Sequence, residues 1–336
     1  MKMQISNSAV DKYLDCSYAY KLHYIDKIRA NSSSSNLLWG SAIDAGLNEI
    51  LSSKLDPPHL LPTPNTAFMK EWCTFKINDV EYDAKFCTLV EYNKKDLDLG
   101  LFGEDQYTLI KHFYPSEDPI EFAARIENAR NQLHWSSYAK LEEETKKAYN
   151  YLCWLSLVKK AELIFQAYSD EVLPLIKKVV AIQREVNLTN ADGDTVKGFI
   201  DFIAEMKDGS VRVMDNKTTS DFKYYKEDSV AKSQQLSLYG FVEDLNQAGY
   251  VAILKEIKAD GRKKGSLPKV KIRLILGNLD PDFQNEALNK FHLVNTQIKN
   301  KEFHKKKDRS ECVFFFKECP YAALCWEGKM NGLIKK

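Results

Sequence analysis

Asp201, Asp215 and Lys217 lie on two runs of strand character separated by a tight turn signal. VKGFIDFIAEM and SVRVMDNKT alternate in polarity on either side of Lys207, Asp208 and Gly209. A three-residue loop with Gly209 in the left-handed conformation pairs Met206 with Ser210 and sets Asp201 directly opposite Asp215. Side chains alternate along a strand, so Lys217 projects from the same face as Asp215 and the three groups converge. A two-residue loop would shift the register and separate the acids. Two facing carboxylates about 4 Å apart repel by roughly 4 kcal/mol at an effective dielectric of about 20, which raises one pKa unless a cation lies between them. A divalent ion resolves the conflict. Magnesium prefers hard oxygen ligands and keeps waters, so it suits the orientation and acidification of a water that attacks a phosphate. Lys217 would stabilise charge developing on that phosphate or position the nucleophile. A surface hairpin whose Asp and Lys make ordinary ion pairs fits the same tripeptide.

Further along, Gln235 and Tyr239 are four residues apart, so they share a helix face. They could reach a substrate backbone together or serve as polar residues in helix packing. Glu185, on the preceding strand, is either a further acid or an exposed strand glutamate. Of the seven cysteines, Cys312, Cys319 and Cys325 crowd into CVFFFKECPYAALC with six and then five residues between them, a motif able to wrap one metal centre. Iron–sulfur and zinc chemistry both suit it. Cys73, Cys87 and Cys153 read as core residues. KNKEFHKKKDR carries Lys299, Lys301, Lys305, Lys306, Lys307 and Arg309, which suits phosphate contacts or a solvated helix end.

Several elements must position these groups. ISNSAVDKYLDCSYAYKLHYI has helical spacing with Ser6 or Asn7 as cap, and LLWGSAIDAGLNEIL predicts a second helix. The four prolines of SSKLDPPHLLPTP end it and set a boundary near residue 55. From about Ala67 to Lys178 the pattern is mainly helical, with charged faces that suit solvent. From Val179 an antiparallel meander is expected, followed by a helix from about Ser229 to Asn246. A strand pair, GYVAILKEIK and KVKIRLILG, comes next with the basic loop ADGRKKGSLP between its members, and helix returns beyond Asp280.

With 44% hydrophobic and 28% charged residues, the chain can bury a large core. A formal net charge of +1 gives no global attraction to a polyanion, so nucleic-acid contacts must come from local patches. The odd cysteine count argues against a disulfide framework. No run approaches the roughly 18 apolar residues of a membrane span, and MKMQISNSAV lacks the apolar core of a secretory signal. The expected location is therefore cytoplasmic. The absence of a GxxxxGK[ST] loop argues against a built-in ATP motor.

Gly198 and Asp201, then Asp215 and Lys217, then Gln235 and Tyr239 together match the GxxD, DxK and QxxxY pattern. In this the sequence resembles the RecB-like branch of the PD-(D/E)XK nucleases. YLDCSYAYKLHY and LLWGSAIDAGLNEI look like that family's cysteine-bearing helix and its G-x-x-x-H segment. Where relatives commonly place a metal-binding histidine, this chain has Asp44, whose oxygen ligation suits magnesium better than softer ions. In the iron–sulfur members, including AddB-like ones, an N-terminal cysteine joins three near the C-terminus. Cys16 matches that position, so the resemblance implies a 4Fe-4S cluster on Cys16, Cys312, Cys319 and Cys325 that staples the chain ends. CPYAALC is close to the family, while the spacing from Cys312 to Cys319 is longer than its usual two residues.

The resemblance implies an α/β, restriction-endonuclease-like PD-(D/E)XK core, a small mixed sheet flanked by helices, with a helical insertion. The expected segments are 1–54 (N-terminal part of the core), 55–178 (insertion), 179–298 (core with the catalytic hairpin) and 299–336 (basic and cysteine-bearing segment). The implied function is a magnesium- or manganese-dependent DNA exonuclease acting on single strands or ends. It would resemble phage, recombination and CRISPR spacer-acquisition nucleases, with DNA and recombination or replication proteins as partners and no membrane. Asp44, Asp201 and Asp215 would bind metal, and Lys217, Gln235 and Tyr239 would assist. The alternative is an inactive nuclease-fold protein that binds DNA or assembles with partners.

Overall fold

The computed structural model describes residues 4–56, 63–77, 80–83, 87, 89–92, 95–98, 116, 118–132, 143–189, 193–257, 269–314 and 317–335. A six-stranded mixed sheet positions the site. Its strands are β1 (Gln4–Ile5), β2 (Ile176–Thr189), β3 (Thr195–Met206), β4 (Val211–Thr219), β5 (Gln247–Leu254) and β6 (Ile272–Asn278). The spatial order is β1-β3-β4-β5-β6, with β2 also paired to β3. The meander β2-β3-β4 is antiparallel as the turn signals require, β5 runs parallel to β4, and β6 returns antiparallel to β5. The loop ADGRKKGSLP, expected between β5 and β6, lies outside the described residues.

Among the described residues seven longer helices flank the sheet: α1 (Asn7–Asp15), α2 (Ser35–Ser52), α3 (Pro64–Trp72), α4 (Pro119–Gln132), α5 (Glu143–Glu171), α6 (Gln234–Glu243) and α7 (Pro281–Lys299). Ser6, not Asn7, caps α1, accepting a hydrogen bond from the Ala9 amide. The period-2 alternation of the strands divides the core between two faces. Phe202, Ala204 and Met214 face one way and pack with Trp39, Leu47, Phe165 and Tyr168 of α2 and α5. Ile203 and Val213 face the other way, against Leu236 and Tyr239 of α6. Tyr13 and Val10 of α1 pack with Phe291 and Val294 of α7. Phe68 and Trp72 of α3 and Phe122 and Ile126 of α4 belong to the same core as the sheet, so the described helices between residues 55 and 178 are not packed separately from it. Cys87 and Cys153 are buried in that core and Cys73 packs against it, as expected.

Within the mainly helical stretch from Ala67, Thr74–Ile77 and Val80–Asp83 form an antiparallel strand pair. TFKI and VEYD flank an Asn-Asp dipeptide, a turn signal that the charged helical faces on either side obscure. The helix expected over 229–246 is shorter. Ser233 caps it by accepting from Leu236 N, and Asp244 ends it in the left-handed region at φ 54, while Glu227–Ser229 is a separate 3-10 turn. Near the termini, Leu333–Lys335 pairs antiparallel with Ile28–Ala30. Among the described residues no helix is long and apolar enough to cross a membrane.

Candidate active site

The turn at Lys207, Asp208 and Gly209 adopts the three-residue form. Gly209 sits at φ 83, its amide donates to Met206 O at 3.0 Å, and the Met206 amide donates to Ser210 O at 2.8 Å. A residue with a Cβ disfavours that backbone conformation, so glycine is the natural occupant. The resulting register places Phe202 opposite Met214. One step further along both strands lie Asp201 and Asp215.

Asp201 Oδ2 accepts a 2.8 Å hydrogen bond from the Asn216 amide. Asp215 is fully buried, and Lys217 Nζ stands 2.9 Å from its Oδ1 and 2.8 Å from its Oδ2. The Oδ2 atom is within ion-pair distance of that ammonium yet accepts no hydrogen bond. Gln235 on α6 ties the group together. Its Nε2 donates to Asp215 Oδ1 at 3.2 Å and to Tyr239 Oη at 3.1 Å, and its Oε1 accepts from Lys217 at 3.4 Å. Gly198 is where the Tyr239 ring reaches the sheet, since a Cβ there would lie 2.8 Å from Tyr239 Cε1. All six residues of the three-part pattern thus meet at one place.

Asp44 arrives from α2. Its Oδ2 accepts from Gln183 Nε2 at 2.8 Å and from Asn48 Nδ2 at 3.4 Å, while its Oδ1 is buried without a partner. Burial, followed by the Asp215 charge, pushes its pKa up to about 6. Asp201 is raised well above the ordinary carboxylate value by burial and then by Asp215 and Asp44. Burial raises Asp215 too, although Lys217 opposes it. For Lys217, burial acts to lower the pKa, but the Asp215 and Asp201 carboxylates prevail and hold it above the ordinary lysine value. The site therefore concentrates negative charge that one ammonium does not neutralise.

Three further participants carry no motif. Gln183 lies on β2 between Ile182 and Arg184, which face Phe202 and Ile200, and its φ of 49 kinks the strand beside Asp201. Tyr168 of α5, fully buried, donates to Asn216 Oδ1 at 3.1 Å and feels the Asp201 and Asp44 charges. Asn216 supplies the amide on Asp201. An unusual φ and a packed helix end are invisible to motif spacing, although position 216 inside the DxK triplet was a hint. Glu185 is not among the acids. It is exposed and bound at 2.9 Å to Lys197 on the neighbouring strand.

Cys16, Cys312, Cys319 and Cys325 come together from both chain ends. The Cys319 amide donates to Cys312 O at 2.6 Å, and Cys16, Cys319 and Cys325 pack against Tyr321 and Leu22. Burial, then Cys319 and, more weakly, Cys16 and Cys312, push the Cys325 thiol up to about 11. Half of the basic stretch is committed to pairs. Lys299 holds Asp194 at 2.5 Å, Lys306 holds Asp15 at 3.1 Å, and Arg309 holds Glu318 and Glu327.

Among the described residues no group of three or more His, Cys, Asp or Glu forms a ready-made metal cage. The acids nevertheless fit a divalent cation by electrostatics: Asp44 Oδ1 is a buried oxygen without a hydrogen bond, among carboxylates that repel one another, while Asp215 Oδ2 has only the Lys217 ammonium beside it. The four thiols fit a thiolate-bound centre by donor type; burial raises the Cys319 and Cys325 thiols, so a metal would have to displace those protons.

A family model described as the PD-(D/E)XK nuclease superfamily matches residues 4–326. No curated protein matches the chain. Among solved structures, that described as "Crystal structure of SSO0001" is 14% identical, covering 61% of this chain and 84% of its own, with a TM-score of 0.29.

Proposed function

Because this chain belongs to the PD-(D/E)XK nuclease superfamily, we propose that it is a metal-dependent DNA nuclease centred on Asp201, Asp215 and Lys217, with Asp44 as a third acid. The observation that carries the proposal is geometric: Asp201 lies opposite Asp215, whose carboxylate is 2.8 Å from the Lys217 ammonium, and Asp44 reaches the same place from α2 with Oδ1 buried and without a hydrogen bond. Such a cluster is held in balance by a divalent cation better than by protons at neutral pH. Asp44, Asp201 and Asp215 would hold magnesium or manganese, which when bound supplies Lewis acidity toward a phosphate oxygen and lowers the pKa of a coordinated water.

The chain's own groups do the rest. Lys217, kept protonated by its two carboxylate neighbours, presents a fixed positive charge where phosphate charge develops. Gln235 fixes the relative positions of Asp215 and Lys217, and Tyr239 fixes Gln235 in turn. The preferred substrate is single-stranded DNA or a DNA end, cut exonucleolytically during recombination, repair or phage DNA processing alongside protein partners. Cys16, Cys312, Cys319 and Cys325 would hold a 4Fe-4S cluster joining the two ends of the chain, a role their gathering from both ends supports.

Purified protein is incubated with end-labelled DNA that is 5′-blocked, 3′-blocked or circular, with and without chelator. Cleavage should require magnesium or manganese, should spare the circle, and should be lost in Asp215→Asn. Cutting that persists in that variant or under chelation removes this mechanism. DNA binding without any metal-dependent cutting would favour an assembly protein instead, a reading to which Asp44 at the histidine position lends its support.

A further inference from the structure

A cavity of about 1740 Å³ opens beside the acids, with Lys217, Gln235 and Tyr239 at one end and residues from both ends of the chain forming its far wall. Six lysines line it, at positions 21, 27, 197, 217, 299 and 301, against one carboxylate, Asp11. Four of the lysines are neutralised locally: Lys21 by Asp26, Lys197 by Glu185, Lys217 by Asp215 and Lys299 by Asp194. Lys27 and Lys301 have no carboxylate partner among the described residues.

These two lysines share a second property. Lys27 has φ 58 and follows the end of the helical turn Lys21–Ile25, while Lys301 has φ 59 and follows the end of α7. Around Lys301 the Glu302 amide donates to Gln297 O and the Lys301 amide to Ile298 O, the paired bonds of a helix terminus that ordinarily takes glycine. Each site thus carries a long cationic side chain on a backbone conformation that disfavours one. Both side chains border the same cavity.

Aromatic rings also line the cavity. Phe199 of β3 is two residues from Asp201 in sequence and borders the cavity together with Lys197 and Gly198. Its ring is 45% exposed, with Lys197 Nζ 5.4 Å from its centre. Tyr18 and Tyr24 also line the cavity and are partly exposed. Unpaired ammonium groups and partly exposed rings in one cavity, beside the proposed phosphate-handling site, complement a chain of alternating phosphates and unpaired bases. A duplex hides its base faces and offers nothing to a ring.

We propose that this cavity is the path of single-stranded DNA into the active site, with backbone phosphates held by Lys27 and Lys301 and a base stacked on Phe199. The inference rests on the nuclease reading for the direction of the strand, but not for its binding. The test is fluorescence anisotropy of a labelled oligothymidylate with the full chain in chelator, where no cutting is needed. Lys27→Gly with Lys301→Gly keeps a backbone-compatible residue at both positions, so folding is retained. The doubly substituted protein should bind more weakly, with the slope of log affinity against log salt reduced by about 1.4, at roughly 0.7 per phosphate contact on a single strand. Phe199→Ala should weaken binding about 5- to 100-fold with the slope unchanged. Wild-type slope in the lysine variant, undiminished affinity in Phe199→Ala, or tighter binding of blunt duplex than of the oligothymidylate would overturn the proposal. Loss of cutting in Asp215→Asn with these binding shifts intact separates the two readings.

Discussion

Gln183 donates a 2.8 Å hydrogen bond from its side-chain amide to Asp44 Oδ2, joining the kink in β2 to the helix that brings the third acid. The bond favours the ionised form of Asp44, the form a cation needs.

Replacing Gln183 by glycine keeps the left-handed backbone and removes the donor. Manganese affinity, measured by titration calorimetry, should fall roughly 10- to 100-fold while the melting temperature changes little. Unaltered affinity would show that Asp44 does not ligate.

Asp44 also makes a pH prediction. Its pKa is about 6 when folded against 3.8 for the free side chain, so the folded protein binds this proton more tightly than the unfolded one. The associated stability is fully present below about pH 4 and is lost as the pH rises past about 6. At pH 7.5 the ionised group costs up to about 3 kcal/mol in the metal-free protein. In chelator, Asp44→Asn should therefore melt above wild type at pH 7.5, with the gap closing toward pH 4. Parallel melting curves across that range would contradict it.

Gly198→Ala should disturb Tyr239, because the added methyl would meet ring carbon Cε1 at 2.8 Å and the hydroxyl oxygen at 3.0 Å. A cost of about 1–3 kcal/mol in denaturant unfolding is expected. The DNA-cutting rate should drop with it as Gln235 loses its partner. Restoring space with Gly198→Ala in a Tyr239→Phe background should recover little, since the ring remains.

A brown preparation with iron–sulfur charge-transfer absorption is expected, bleached in Cys319→Ala. Colourless protein with stoichiometric zinc would replace the cluster by a zinc site.

The hairpin was legible because its turn chemistry, a glycine at the third loop position, dictates the register, and the register alone brings Asp201 and Asp215 together. Gln235 and Tyr239 were legible through helical spacing. The sequence did not reveal Gln183 and Tyr168, whose roles depend on a strand kink and on where a long helix ends against the sheet. Tertiary packing decides both. The strand pair 74–83 was obscured by neighbouring helical patterns. In the basic run from Lys299 to Arg309, read as phosphate contacts or a solvated helix end, three of the six charges are spent on carboxylates far away in the chain or beyond the next turn, which spacing does not disclose.

Residues 28–30 pair with 333–335, and the groove takes one free lysine from each end of the chain. If the groove carries a strand as proposed, the clasp between 28–30 and 333–335 holds its two free lysines in register, so loosening that clasp should weaken strand capture before it disturbs the carboxylates.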